Sequence, residues 1–176
     1  MNKLNIRKLV LSALFVTVSL TLFLIESMIP PIVPIPGVKI GLAYLPVMLV
    51  MFIGGKWKIY DAAMVLFVRV VLSALIGGNL VSAYFSALGG LLSVIVMSIM
   101  KLTIRQTWAV VPAGVFSATA HNIGQLTAAM TIYSVTVWAY LPYLLISAVI
   151  TGFFSGFVIY QLIRKETVII TNIKNI

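Results

Sequence analysis

Long apolar runs are the feature of this sequence that most limits what it can fold into. Six runs of suitable length follow one another along the chain, at about 9–29, 38–55, 60–77, 80–100, 107–134 and 140–163. A helix needs about 20 apolar residues to cross a bilayer core about 30 Å thick, because each residue adds about 1.5 Å of rise. The pattern predicts an all-α integral membrane protein, a six-transmembrane-helix bundle that forms one domain over residues 1–176.

The positions of the positive charges support this count independently. The chain has 12 Lys and Arg residues against 3 Asp and Glu, which gives a formal net charge of +9. If the amino terminus is cytoplasmic, ten of the twelve basic residues fall in cytoplasmic segments, where membrane proteins concentrate Lys and Arg. Losing or adding one span would destroy this alternation. We therefore expect a multi-pass protein with both termini cytoplasmic, surrounded by membrane lipid, and no nucleic-acid partner.

Two charged residues are predicted to lie within the membrane. Arg69 comes near the middle of the third span, where an arginine costs about 2.5 to 3.5 kcal/mol to insert, so its side chain should face protein or water. Glu26 lies towards the outer end of the first span. Two interpretations of Arg69 stay open: a structural pairing, with Glu26 as one option despite its different predicted depth, or contact with an anionic group of a ligand.

The fifth span carries the densest set of polar residues, in the stretch SATAHNIGQLTAAM. Ser117, His121 and Gln125 are four residues apart and therefore share one helix face, and Asn122 is beside them. Such a face could form hydrogen bonds between helices, or it could be a binding surface inside the bundle. The concentration of these groups in one short stretch favours binding.

A candidate site can be placed in the outer half of the bundle. The first loop, ESMIPPIVPIPGVK, has four prolines that exclude helix, and it could be a plain connector or a cap over a pocket. Lys39 at its end and Asn79 after the third span are predicted on the same outer side. The predicted substrate-binding residues are Glu26, Lys39, Asn79, Asn122 and Gln125 around the site, with Arg69 and His121 deeper.

The residues that many enzymes use for catalysis are scarce. Cysteine is absent and Asp61 is the single aspartate, so a two-metal site or an aspartate-rich diphosphate site cannot be assembled. No zinc-ligand cluster, Walker motif or nucleophile elbow is present. We therefore expect a protein that is not an enzyme and has no catalytic residues, no metal and no cofactor.

Several segments resemble a known membrane family: LIESMIPPIVPIPGVKIGLAYLPVML, RVVLSALIGGN, SALGGLLSVIVM and ATAHNIGQL. They are similar to the family labelled heptaprenyl diphosphate synthase component I, also called the Gx transporter family. That family in turn resembles the S components of energy-coupling factor (ECF) transporters, which are six-helix bundles that capture vitamins or related compounds from outside. The resemblance implies an S-component-like fold in the bacterial cell membrane.

The resemblance also implies partners and a ligand. S components work with a transmembrane coupling protein and two cytoplasmic ATPases, and they dock through a small-x-x-x-small pattern in the first helix. Ala13 and Thr17 stand at the corresponding positions here. The implied function is substrate capture for an ATP-driven importer of a small, anion-bearing molecule of the vitamin or cofactor type.

The synthase label of the family implies a different chemistry. Prenyl diphosphate synthases hold magnesium and diphosphate with two aspartate-rich motifs, whereas this chain has one aspartate in total. Substrate capture is therefore the leading hypothesis. The alternatives are an accessory membrane subunit in isoprenoid or quinone metabolism or in flavin-based extracellular electron transfer, and a subunit whose polar groups only hold helices or a neighbouring protein together.

Overall fold

The computed structural model describes residues 6–28, 41–54, 57–77, 79–104, 106–133 and 137–165, and their regular structure is entirely helical. The α-helices are α1 (Ile6–Met28), α2 (Leu45–Phe52), α3 (Ile59–Gly77), α4 (Leu80–Thr103), α5 (Val110–Tyr133) and α6 (Leu141–Arg164). Short 3₁₀ turns lead into α2, α5 and α6. The predicted all-α class and the number of helices are confirmed.

Four helical segments are long and apolar enough to cross a membrane: α1, α3, α4 and Trp138–Arg164, which contains α6. Helix α5 has 24 residues and therefore the length of a span. Its central residues, among them His121, Asn122 and Gln125, are polar and lower its hydropathy. These same polar side chains are buried in the bundle, so the lower hydropathy reflects a polar interior.

The second predicted span, 38–55, is much shorter in the structure. Within residues 41–54, a 3₁₀ turn at Leu42–Tyr44 is followed by only eight residues of α2, about 12 Å of helix. Gly41 precedes the turn with a φ of +95°, a left-handed conformation that glycine adopts without strain. Val47, Val50 and Met51 of α2 have no exposed surface. This helix is therefore part of the protein core and does not reach across the bilayer by itself.

Helix α5 packs between α4 and α6 through direct contacts of their backbones. A Cβ atom added to Gly114 would lie 2.3 Å from the carbonyl oxygen of Gly152 in α6. A Cβ added to Gly124 would lie 2.7 Å from the Cα atom of Gly89 in α4. Small residues allow this approach, as is typical of membrane helices, and Gly156 of α6 likewise lies against the backbone of Val111, where an added Cβ would be 2.8 Å from the Val111 Cα atom.

Helix α1 packs against α3 and α2. At the predicted cytoplasmic end, Nζ of Lys8 lies 2.8 Å from the Asp61 carboxylate, and that carboxylate also accepts a hydrogen bond from the Lys58 backbone N–H. Phe15 meets Trp57 edge to face, with 5.7 Å between the ring centroids. Large apolar side chains cover the outward surfaces of the helices, for example Phe67, Leu75, Ile99 and Phe154. Such a surface suits hydrocarbon and would be unfavourable in water.

Candidate functional site

Polar side chains from four helices line one small cavity inside the bundle, here called the inner cavity. Its volume is about 10 Å³, which is space for about one water molecule. The lining residues are Phe23 and Glu26 of α1, Gly41, Ala43 and Tyr44 before α2, Arg69 of α3, Ser86 of α4, and His121 and Gln125 of α5. Four of the predicted site residues, Glu26, Arg69, His121 and Gln125, are thus brought together.

Arg69 is held deep in the bundle. Only 2% of the residue is exposed, and the carbon at the centre of its guanidinium lies 5.5 Å from the centroid of the Phe23 ring, within the range of a cation–π contact. Nε of Arg69 has no hydrogen-bond partner within the described ranges. Arginine presents several N–H donors in a planar fork that suits carboxylate and phosphate groups, so this side chain can contact an anionic group in the cavity.

Glu26 lines the inner cavity from the carboxyl-terminal part of α1. Its carboxylate accepts a hydrogen bond from the backbone N–H of Gly41, which ties the end of α1 to the start of the turn before α2. The sequence placed Glu26 and Arg69 at different depths, but both side chains line this cavity. A carboxylate and a guanidinium therefore share one enclosed space.

His121 and Gln125 complete the wall on the α5 side, with 5% and 1% of their surfaces exposed. The His121 ring packs against Tyr44, with 5.3 Å between the ring centroids, and its Nδ1 has no hydrogen-bond partner among the described groups. A Cβ at Gly89 would lie 2.9 Å from that Nδ1. Gly89 thus leaves just enough room for the imidazole, which fixes the position of the ring.

A second small cavity of about 20 Å³ lies on the other side of His121. Gly41, Tyr44 and His121 line both cavities and so form the wall between them. Apart from Leu45 and Met48 of α2, the rest of its lining is polar or small, including Ser117 of α5, whose hydroxyl donates to the Gly114 carbonyl at 3.0 Å. The polar interior predicted for the bundle therefore extends over about two turns of α5.

The remaining predicted site residues are elsewhere. The side-chain amide of Asn122 donates a hydrogen bond to the Leu144 carbonyl of α6 at 2.7 Å, because Asn122 is one residue on from His121 and points to the next helix. Asn79 is exposed, and its side-chain oxygen caps α4 by accepting from the Ser82 N–H at 2.9 Å. Lys39 and the proline-rich loop lie outside the described residues.

Tyr44 and Ser86 are cavity residues that the sequence prediction missed. Ser86 belongs to a stripe of small residues along α4, at positions 82, 86, 89 and 93, which are all buried. This spacing marks one helix face and could have shown which side of α4 meets the site. Tyr44 donates from its hydroxyl to the Gly90 carbonyl at 2.6 Å. It lies in a turn, where no periodic pattern indicates its direction.

The two predicted docking residues line a groove between α1 and α3. Its volume is about 520 Å³, and apart from Lys8 and Asp61 at one end its walls are mainly apolar. Ala13 and Thr17 are exposed on α1, and the Thr17 hydroxyl donates to the Ala13 carbonyl at 2.9 Å. With that hydroxyl bonded to its own helix, Thr17 presents a small, largely apolar surface.

Comparison with known proteins identifies one relationship. A family model described as heptaprenyl diphosphate synthase component I matches residues 15–162. The match runs from α1 into the last turn of α6 and includes all the residues that line the inner cavity. No curated protein and no solved structure matches the chain.

Proposed function

The chain belongs to the heptaprenyl diphosphate synthase component I family, and from its polar interior we propose that it is the substrate-capture subunit of an ECF-type, ATP-driven importer. In this proposal the protein is an S-component-like bundle in the bacterial cell membrane. It binds a small, anion-bearing molecule of the vitamin or cofactor type from outside. A transmembrane coupling protein and two cytoplasmic ATPases then drive release to the inside.

The observation that carries the proposal is the convergence of Arg69, His121, Glu26 and Gln125 on the inner cavity. Arg69 and His121 each present a buried nitrogen without a hydrogen-bond partner in the described structure. A buried polar atom left in this way costs about 1 to 3 kcal/mol. A bundle that needed only to pack could have avoided this cost with apolar residues, whereas a ligand that accepts hydrogen bonds would offset it.

The side chains around the cavity indicate what kind of ligand suits it. The guanidinium of Arg69 favours a carboxylate or phosphate oxygen, and the side chains of His121, Gln125, Tyr44 and Ser86 add further hydrogen-bonding groups to the lining. The cavity volume of about 10 Å³ is far below the roughly 300 Å³ of an ordinary small-molecule site. Ligand capture therefore requires the helices around the cavity to separate.

The synthase part of the family description names a complex of which this chain would be one component. We propose a role without catalysis, because a single aspartate, Asp61, cannot provide aspartate-rich magnesium sites. In the structure the Asp61 carboxylate is already paired with Lys8 at the end of α1. That pairing supports a structural role for this carboxylate.

The alternative function is an accessory membrane subunit in isoprenoid or quinone metabolism or in flavin-based extracellular electron transfer. The observation that favours it is the word "component" in the family description, which fits any membrane partner. In that case the polar side chains would only join helices, and purified protein would bind no small molecule. Native co-purification of a soluble prenyltransferase or a redox enzyme, in place of ATPases, would support this alternative.

Equilibrium binding tests the leading proposal. Protein purified in detergent would be screened against flavins, vitamins and quinone precursors, and the best ligand compared between native protein, Arg69→Gln and the control Arg164→Gln. Arg164 is exposed in the last turn of α6, so its loss should leave affinity unchanged. Loss of a charge-assisted hydrogen bond at Arg69 should weaken binding by about 10- to 100-fold.

Folding of each variant is checked by thermal unfolding and by elution from a sizing column. The proposal fails if native protein shows no saturable ligand and cells carrying Arg69→Gln take up the candidate compounds at the native rate. It also fails if Arg69→Gln and Arg164→Gln bind the ligand equally well.

A further inference from the structure

A larger cavity, here called the outer cavity, lies one turn beyond the inner cavity, at the end of the bundle predicted to face outside. Its volume is about 270 Å³. Its mouth consists of exposed residues, namely Leu24, Ser27, Gly77 and Asn79, and its floor consists of buried ones, namely Phe23, Ser73 and Ser82. It therefore leads inward from the ends of α1 and α3 and the start of α4.

The floor of the outer cavity carries a polar group without a partner among the described residues. Ser82 is only 7% exposed, and its hydroxyl has no hydrogen-bond partner in the part of the chain that the structure describes. The hydroxyl of Ser73, at 3% exposure, donates to the Val70 carbonyl at 2.8 Å and keeps its oxygen as an acceptor. A molecule with neutral polar groups could satisfy both.

No charged side chain is among the described residues that line the outer cavity. The charged groups, Arg69 and Glu26, line the inner cavity instead. The outer cavity should therefore admit small polar molecules of either charge, and selection for an anionic group would take place at Arg69.

Two helices connect the floor of the outer cavity to the inner cavity. Ser73 follows Arg69 on α3 by four residues, and Ser82 precedes Ser86 on α4 by four, so each pair shares a helix face, with about 6 Å of rise between its two residues. Arg69 and Ser86 line the inner cavity, and Ser73 and Ser82 line the outer one. Polar groups therefore continue from one cavity into the other along α3 and α4.

Phe23 lines both cavities and therefore lies between them. Its ring packs on the Arg69 guanidinium, with 5.5 Å from the guanidinium carbon to the ring centroid, and it is 5% exposed. A side chain in this position blocks the polar path. Movement of this one ring would join the two spaces.

We propose that the outer cavity is the access subsite of this protein and that Phe23 is the barrier a ligand must displace to reach Arg69. The inference rests on the proposed function for the identity of the ligand. The route itself can be tested without any ligand, because the chain contains no cysteine and single cysteines can be placed along it.

The experiment compares Ser82→Cys in the outer cavity with its matched control, Ser86→Cys, one turn deeper. The two serines are buried to similar extents, at 7% and 5% exposure. Cells or right-side-out vesicles are treated with a small, membrane-impermeant methanethiosulfonate reagent. With Phe23 in place, Ser82→Cys should react at least about tenfold faster than Ser86→Cys, because the outer cavity of about 270 Å³ has room for the reagent and the inner cavity of about 10 Å³ does not.

Phe23→Ala is then added to each cysteine variant. Removal of the ring should raise the reaction rate of Ser86→Cys to within about threefold of the rate of Ser82→Cys, because both thiols would then share one space. Phe23→Leu provides a milder change if the alanine variant does not fold. Its expected effect is an intermediate rise in the rate of Ser86→Cys.

Three results would overturn the inference. The first is equal reaction of the two cysteines with Phe23 in place, and the second is no reaction of Ser82→Cys. The third is a protected Ser86→Cys in folded protein that lacks the Phe23 ring. If neither Phe23 variant folds, the comparison of the two cysteines in the native background still decides whether the outer cavity is open and the inner one closed.

Reagents of opposite charge test whether the outer cavity selects molecules by their charge. Anionic and cationic methanethiosulfonates should react with Ser82→Cys in the same ratio, within about threefold, as with free cysteine, because the described residues that line the outer cavity carry no charge. A tenfold departure from that ratio would contradict an uncharged access subsite.

The two proposals can fail separately. If the cysteines are labelled in the expected pattern but the protein binds no small molecule, only the capture function is refuted. If the protein binds a ligand but the cysteines are labelled in another pattern, only the access route is refuted.

Discussion

At the level of one residue, Arg69 is the clearest example of a charged group inside the bundle. The side chain is 2% exposed and meets the Phe23 ring, and its Nε has no partner among the described groups. The free-energy cost of inserting an arginine at the middle of an apolar helix makes this residue rare there, and where it occurs its charge usually has a function. Glu26 on the same cavity lowers that cost through its opposite charge, while a ligand anion would compete with Glu26 for the guanidinium.

Gln125 and Asn122 allow binding to be separated from packing. Gln125→Leu should weaken ligand affinity by about five- to tenfold, since it removes about 1 kcal/mol of hydrogen bonding from the inner cavity. Asn122→Leu removes the bond to the Leu144 carbonyl of α6, so it should lower stability by about 1 kcal/mol and leave affinity unchanged. Calorimetric binding and thermal unfolding of both variants check this. Equal loss of affinity in the two would contradict the division of roles.

The residues of α5 show how far a sequence can predict such a site. Helical spacing is a local property, so the shared face of Ser117, His121 and Gln125 could be predicted from four-residue intervals. The partner of Asn122 could not, because Leu144 belongs to another helix. Glu26 and Arg69 were predicted in one candidate site but at different depths, and their place in one cavity could not be predicted, since it depends on how α1 and α3 are positioned along each other.

At the level of helices, α2 and α5 depart from simple spans in opposite ways. Helix α2 is strongly apolar but has only eight residues. The left-handed conformation of Gly41 comes just before the 3₁₀ turn that leads into this buried helix. Helix α5 has the length of a span but is polar at its centre. Apolar content predicted both as helices. It did not predict their surroundings, which depend on packing between helices.

The seam between α5 and α6 should tolerate no added volume. Gly114→Ala would place a Cβ atom 2.3 Å from the Gly152 carbonyl oxygen, so the helices must move apart, at a cost of about 1 to 3 kcal/mol. Gly77→Ala is the matched control, because nothing lies within 4 Å of its added Cβ. Thermal unfolding in detergent should show a lower midpoint for Gly114→Ala alone. A native midpoint for Gly114→Ala would rule out close packing at this seam.

The whole molecule presents an apolar surface with one large groove in it. Exposed apolar side chains occur on every long helix, including Leu9, Phe67, Leu91, Phe116 and Phe154, which suits a lipid environment. The groove between α1 and α3, about 520 Å³ in volume, interrupts this surface at Ala13 and Thr17. Small residues at such a place allow another helix to approach closely.

Bulk in this groove should block assembly with the proposed coupling protein. Ala13→Trp would put a large side chain into the groove where another helix would have to approach, whereas the control Leu91→Trp adds the same side chain to an exposed position on α4. Co-purification from native membranes should recover the coupling protein and the ATPases with Leu91→Trp, and at least about tenfold less with Ala13→Trp, a loss of about 1.4 kcal/mol in association. Equal recovery with both variants would exclude the groove as the docking surface.

The glycine contacts also show that two parts of the molecule differ in how closely their helices pack. Helices α4, α5 and α6 meet backbone to backbone at Gly89, Gly124, Gly114 and Gly152, so this half has little free space for side chains to rearrange. Between α1 and α3 the groove leaves such space, and the outer cavity leaves more at the ends of these two helices. We infer that α4 to α6 act as a stiff frame and that α1 and α3 yield when the inner cavity widens. Docking at Ala13 would then act on the yielding half, so a partner protein could couple its own movements to the opening of the site.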